Sequence, residues 1–230
     1  PDSGTMELES RPVRFESPAA AMRAGVVAIF QELSLVPDLS VAENICAPEP
    51  PRRFGLIDRR AQRRRAEGLL ERVHCGDVHP DEIVRNLPLS RRQMIEIARA
   101  LGRSPKLLIL DEATSALTAA DVERIYAILD RLRSEGLAIV YISHRMREIM
   151  ALADDCSVFR NGRHVEAFSK GSKSGDELVK LMIGREYIHV FPPKPMAMPS
   201  DKSPVLETRN LTWGDRLRDI SFAVRAGEIV

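Results

Sequence analysis

A short apolar run that ends in two adjacent acids constrains the fold of this chain most. Residues 107–110 are four consecutive branched aliphatic residues, preceded by a Ser-Pro-Lys turn signal. This pattern predicts a short strand that is buried on both faces, as in a parallel sheet. Because a buried strand rarely carries carboxylates, we expect Asp111 and Glu112 to lie at its carboxyl end, the edge at which open α/β sheets bind ligands.

Two further apolar runs also end in polar residues. Residues 25–30 precede Gln31, and residues 137–142 precede Ser143 and His144. Helical periodicity is found at residues 59–73, at residues 90–101 and after a predicted cap at Thr118. Strands that alternate with helices predict an α/β fold with a doubly wound parallel core. Since parallel strands end at one edge, Gln31, Asp111, Glu112 and His144 are predicted to converge on one ligand.

The acid pair has two interpretations. In a nucleotide hydrolase the first acid would hold Mg²⁺, and the second would orient or deprotonate the attacking water. In the other interpretation, Asp111 and Glu112 form a solvated acidic turn after a strand. The order of Gln31, the acid pair and His144 along the chain favours the first interpretation.

Composition restricts the class of protein. The net charge of +1 gives no argument for nucleic-acid binding. No apolar run approaches the roughly 18 residues of a membrane-spanning helix. Cys46, Cys75 and Cys156 lack metal-ligand spacing, and we expect them to be reduced thiols.

Less regular segments indicate the domain organisation. Residues 33–57 contain prolines and little periodicity, which predicts an irregular surface segment. Residues 191–204 are rich in proline and predict a linker that is stiffened toward polyproline II. The pattern of residues 205–230 predicts two short strands, one on each side of Trp213 and Gly214.

Taken together, these motifs resemble those of the ATP-binding-cassette (ABC) ATPases, most closely those of bacterial sugar importers of the ribose, galactose and xylose type. Four matches carry the resemblance: the Q-loop region at residues 30–45, the Walker B strand at 107–112, the D-loop at 115–118 and the switch histidine His144. The resemblance implies a P-loop NTPase core of the ABC type, with a helical subdomain at about residues 58–100. It also implies a tandem arrangement: a first cassette at 1–190, a linker at 191–204 and the start of a second cassette at 205–230.

The resemblance further implies ATP and Mg²⁺ as cofactors. Asp111 would hold Mg²⁺ partly through water, together with Gln31. Glu112 would polarise the lytic water, and His144 would contact the γ-phosphate. The remaining nucleotide contacts would come from Leu89 and Ser90 of the signature segment, Ser115 of the D-loop and Trp213, which would stack on adenine in the second cassette. An exposed packing role against the linker explains Trp213 equally well.

Two features depart from the family pattern. The sequence contains no G-x-x-x-x-G-K-[ST] phosphate loop. The resemblance places this loop just before residue 1 and again just after residue 230, so we expect a chain that is truncated at both ends and inactive by itself.

The signature segment is the second departure. It reads Leu87-Pro88-Leu89-Ser90, in which Pro88 lacks both a hydroxyl and an N–H. Loss of one hydrogen bond to a charged group costs about 1.5–3 kcal/mol. Ser90 could partly substitute, and Arg91 and Arg92 either supply charge or form a solvated helix start.

The implied function is that of an ATP-hydrolysing subunit that energises carbohydrate import. Its location would be the cytoplasmic face of the bacterial inner membrane, as a peripheral protein. Its partners would be transmembrane permease subunits, which dock on residues 33–57, an opposing cassette and, indirectly, a periplasmic sugar-binding protein, with no nucleic acid. Two alternatives are a soluble ABC ATPase of translation or DNA repair and a degenerate, non-hydrolysing cassette.

Overall fold

A computed structural model describes residues 3–114, 117–184 and 203–228. The described residues belong to two compact units, one before and one after residue 186. Within them, no helix has the length and apolar character needed to cross a membrane.

The helices and strands are as follows. The α-helices are α1 (Pro18–Arg23), α2 (Val41–Cys46), α3 (Arg59–Arg72), α4 (Leu89–Leu101), α5 (Ala119–Ser134), α6 (Met146–Leu152) and α7 (Gly175–Ile183), and a short 3₁₀ helix covers Val84–Asn86. The strands are β1 (Glu7–Leu8), β2 (Arg11–Pro12), β3 (Val26–Ile29), β4 (Arg52–Arg53), β5 (Leu56–Ile57), β6 (Leu107–Asp111), β7 (Ala138–Ile142), β8 (Asp155–Arg160), β9 (Arg163–Ser169), β10 (Leu206–Trp213) and β11 (Leu217–Val224).

A parallel sheet with the strand order β3-β6-β7 forms the centre of the first unit. Its three strands are those that the apolar runs predict, and the prediction of a parallel α/β core is confirmed. The prediction that each strand is buried on both faces does not hold for β7. Leu108 and Leu110 of β6 are fully buried, whereas Val140 and Ile142 of β7 are 45% and 48% exposed. The reason is that successive side chains of a strand point to opposite faces, and the described residues cover one face of β7 more completely than the other.

Helices α2, α3 and α4 pack together as a helical layer. The structure corrects the prediction that residues 33–57 are irregular, because α2 and the β4–β5 hairpin lie within this segment. Ser40 and Glu43 form a capping box that starts α2, and Val41 and Ile45 are buried. The described helical layer therefore begins before residue 58, the boundary expected for the helical subdomain.

Local signals place the other elements as predicted. Thr118 caps α5 by accepting a hydrogen bond from the Asp121 amide. Asn161 and Gly162, with φ of 52° and 72°, form the turn between β8 and β9, as expected for a two-residue hairpin loop. In the second unit, β10 and β11 pair as an antiparallel hairpin.

Candidate nucleotide-hydrolysis site

The acid pair lies at the carboxyl end of the central strand. Asp111 is the last residue of β6, and Glu112 follows it with a φ of 46°. The Glu112 amide donates a hydrogen bond to the Ile142 carbonyl at 3.0 Å, which ties the ends of β6 and β7 together. A left-handed backbone costs a residue with a side chain on the order of 1–3 kcal/mol, and such strain is concentrated at functional sites.

Glu112 and His144 are in direct contact. Nδ1 of His144 lies 2.8 Å from Oε1 of Glu112, and their side chains are 61% and 28% exposed. The prediction that the ends of β6 and β7 bring these two residues together agrees with this geometry. A half-exposed carboxylate can accept a proton from water, while the imidazole keeps a second nitrogen that can contact a ligand.

Gln31 lies at the same edge of the sheet. It follows β3, which pairs with β6 in parallel register, with Ile29 opposite Leu110. Its side chain is exposed.

The segment after Gln31 is anchored to α4. The Ser34 hydroxyl donates to Oε1 of Glu96 at 2.8 Å, and Arg99 donates to the Ser34 carbonyl at 2.9 Å. Glu96 is only 4% exposed. Sequence reasoning missed Glu96, although an acid within the apolar stripe of a helix is a signal that could have identified it.

The donor set at this edge suits Mg²⁺. Asp111 offers carboxylate oxygens and Gln31 an amide oxygen, both hard ligands. Among the described residues, no three acidic, histidine or cysteine side chains cluster as a metal cage. Mg²⁺ keeps several waters and is typically held by one or two carboxylates together with phosphates, so Asp111 and Gln31 suffice as its protein ligands.

The signature segment begins α4. Leu89 and Ser90 are the first two residues of the helix, and Pro88 is its N-cap without a side-chain capping hydrogen bond. Leu89 is 42% exposed and Ser90 is half-buried.

Neither interpretation of the arginines that follow Ser90 is supported. Arg91 binds Asp77 at 2.7 Å, and Arg92 donates to the carbonyls of Arg85 and Leu87. Their guanidinium groups are therefore engaged within the helical layer, neither free for a phosphate nor fully solvated.

Two further nucleotide contacts were predicted, Ser115 and Trp213. Ser115 lies outside the described residues. Trp213 ends β10 of the second unit and is 71% exposed.

Sequence comparisons with known proteins indicate one family. A sequence profile described as "ABC transporter" matches residues 1–115. The chain is 65% identical over 230 residues to a ribose import ATP-binding protein, RbsA 1, of Mesorhizobium japonicum, and 60% identical over 230 residues to the protein of the same name from Rhizobium etli. Each alignment covers 100% of this chain but 45% of the relative.

Solved structures share the fold. An ATP-binding cassette of an ABC transporter in its ADP conformation superposes with a TM-score of 0.67 at 21% identity, covering 80% of this chain and 78% of that one. A nucleotide-free cassette superposes with a TM-score of 0.65 at 20% identity, covering 80% and 74%. These superpositions show the fold, and the profile match over half of the chain shows that the chain belongs to the ABC transporter family.

Proposed function

We propose that this chain is part of an ATP-hydrolysing subunit that energises carbohydrate import across the bacterial inner membrane. The family assignment supports this, as do relatives that are named ribose import ATP-binding proteins. The observation that carries the proposal is the 2.8 Å contact between Glu112 and His144, next to Asp111 at the sheet edge. A degenerate cassette would not need to retain this water-activating carboxylate.

In the proposed mechanism, each residue has a separate task. Glu112 orients and polarises the water that attacks the γ-phosphate, while the second ring nitrogen of His144 contacts that phosphate. Asp111 and Gln31 would hold Mg²⁺, which neutralises charge on the phosphates. Phosphoryl transfer requires positioning and charge stabilisation rather than a covalent nucleophile, and these residue types meet that requirement.

The signature segment would act on the other nucleotide of a cassette pair. Leu89 and Ser90 start α4, so their backbone amides and the Ser90 hydroxyl suit a phosphate held by an opposing cassette. Ser115 would complete that contact. In this proposal residues 1–190 form a first cassette, residues 191–204 a linker and residues 205–230 the start of a second cassette.

The partners follow from this role. Transmembrane permease subunits would dock on residues 33–57, and a periplasmic sugar-binding protein would act through them. Val36, Phe54 and Leu56 of this segment are 47%, 93% and 75% exposed, which supports a docking surface. The subunit would be peripheral, at the cytoplasmic face of the membrane.

The test uses the gene product that contains this chain together with a phosphate-binding loop, here called the extended protein. We expect Glu112→Gln to reduce ATP hydrolysis by about 10²–10⁴-fold, the range of a general-base contribution, while leaving ATP binding within about twofold. The change keeps the shape of the side chain and removes the carboxylate. Turnover and binding of a fluorescent ATP analogue are measured in parallel, and equal loss of both would contradict the assignment of Glu112.

A further inference from the structure

A buried carboxylate is hydrogen-bonded to the chain segments that carry Glu112 and His144. Glu148 of α6 is 3% exposed. Its Oε1 accepts a hydrogen bond from the Thr114 hydroxyl at 2.5 Å, and its Oε2 accepts from the hydroxyls of Ser143 at 2.6 Å and Tyr141 at 3.0 Å. One carboxylate thus receives three hydroxyl donors, all from outside its own helix.

These donors belong to the two segments that carry the proposed catalytic pair. Thr114 lies two residues after Glu112 and is 1% exposed, and Ser143 directly precedes His144. Arg145 closes the network, since its amide donates to the Ser143 hydroxyl at 3.0 Å and its guanidinium donates to the Thr114 carbonyl at 3.2 Å. The Glu148 carboxylate is therefore the shared acceptor between the end of β6 and the end of β7.

The network is suited to a charged acceptor. Burial raises the pKa of Glu148, but hydrogen bonds from Ser143, Thr114 and Tyr141, together with the charge of Arg145, lower it to a net value below the ordinary one. Glu148 is thus ionised at neutral pH. An ionised carboxylate can only accept hydrogen bonds, so it fixes the direction of all three hydroxyl groups.

We propose that Glu148 is a positioning residue that holds Glu112 and His144 in contact by binding Thr114, Tyr141 and Ser143 at once. This inference rests on the proposed ATP hydrolysis but concerns a residue outside the Glu112–His144 pair and outside the proposed Mg²⁺ ligands. It predicts that loss of the carboxylate lowers turnover far more than nucleotide affinity, because His144 is only one of the proposed contacts to the nucleotide.

The kinetic test is Glu148→Gln in the extended protein, with Glu123→Gln on the exposed side of α5 as the matched control. We expect kcat to fall by about 10-fold to 10²-fold in Glu148→Gln, since a misplacement of about 1 Å costs up to that much. KM for ATP should stay within about twofold, and Glu123→Gln should match the wild type. Thr114→Val should behave like Glu148→Gln, and Thr114→Ser, which keeps the hydroxyl, should restore turnover.

Amide hydrogen exchange provides a readout that needs no ATPase activity. In Glu148→Gln, exchange should accelerate at the amides of Glu112 and Arg145, while amides within β6 keep their protection. Ser143→Ala serves as a second, milder variant if Glu148→Gln fails to fold, and should accelerate exchange at Arg145. Unchanged kcat, or unchanged exchange at these amides in a folded variant, would overturn the inference. A wild-type protein without ATPase activity, by contrast, would contradict the proposed function and leave the exchange test intact.

Discussion

Single carboxylates connect distant segments of the first unit. Glu43 completes the capping box of α2 through Ser40 and also binds Arg59 at the start of α3, at 2.6 Å. The pKa of Glu43 is lowered by hydrogen bonds from the Ser40 amide, from Arg59 and from the Ser40 hydroxyl. We therefore infer a structural role for Glu43. Glu43 also lies in the segment proposed to dock the permease. Because a charge reversal at Glu43 would break the cap of α2, a transport defect in such a variant would not be evidence for permease docking.

Glu43→Gln should lower stability in a pH-dependent way. Because the folded pKa lies below the ordinary value of 4.5, the carboxylate stabilises the fold above that pH. This stabilisation is lost as the pH falls through the folded pKa. We expect the variant to lose about 0.2–1 kcal/mol at pH 7, because Gln keeps the capping-box geometry and loses the ion pair with Arg59. The measurement is thermal or urea unfolding at several pH values.

The difference between wild type and Glu43→Gln should narrow below pH 4.5. Glu67→Gln, on an exposed position of α3, is the matched control and should change stability little at any pH. If the stability difference between wild type and Glu43→Gln instead increased as the pH falls, this result would contradict the structural role of Glu43.

At the scale of elements, the β4–β5 hairpin is the most exposed apolar feature of the helical layer. Phe54 and Gly55 form its turn with φ of 52° and 83°. Phe54 is 93% exposed, and its ring lies beside the Arg53 guanidinium at 5.4 Å. An aromatic side chain that buries so little surface contributes little to the fold, so its exposure favours contact with a partner.

Phe54→Ser should weaken binding to the permease without affecting folding. We expect the unfolding free energy to change by less than about 0.5 kcal/mol, as for other surface substitutions, while less permease co-purifies with the extended protein. Phe159→Ser serves as the control, because Phe159 is 67% exposed at the end of another hairpin strand, β8. Equal co-purification for wild type, Phe54→Ser and Phe159→Ser would rule out the hairpin as a docking element.

At the scale of the whole molecule, the two units carry different parts of the proposed function. The first holds the acid pair and His144, and the second holds Trp213, the single tryptophan of the chain. Within residues 1–230, tryptophan fluorescence therefore reports on the second unit. The 71% exposure of Trp213 leaves its ring accessible to a ligand.

Trp213→Ala should weaken ATP binding at the second site of the extended protein. Stacking of a base on an aromatic ring contributes about 1–3 kcal/mol, or about 5- to 150-fold in affinity. Nucleotide should also change the fluorescence of the wild-type extended protein, and the part of this change that comes from Trp213 should disappear in Trp213→Ala. Trp213→Phe, which keeps a ring, should retain most of the affinity. Unaltered affinity in Trp213→Ala and no spectral response would favour the packing role.

Local sequence patterns were enough to predict several elements of the fold. The apolar runs predicted β3, β6 and β7, and the Asn161-Gly162 pair predicted the turn between β8 and β9. The polar residues after the strands predicted the edge at which Glu112 meets His144, because parallel strands end side by side. Each of these signals is contained in a few consecutive residues.

Contacts between side chains that are far apart in sequence could not be predicted in this way, because they depend on how the elements pack. The short helix α2 lies among prolines and has too few residues for a clear helical period, so its burial depends on α3 and α4. Glu148 looks like an ordinary surface acid in sequence, yet it accepts a hydrogen bond from Thr114, 34 residues away. Burying a carboxylate is costly unless hydrogen bonds compensate, and those donors come together only after the sheet and α6 have packed.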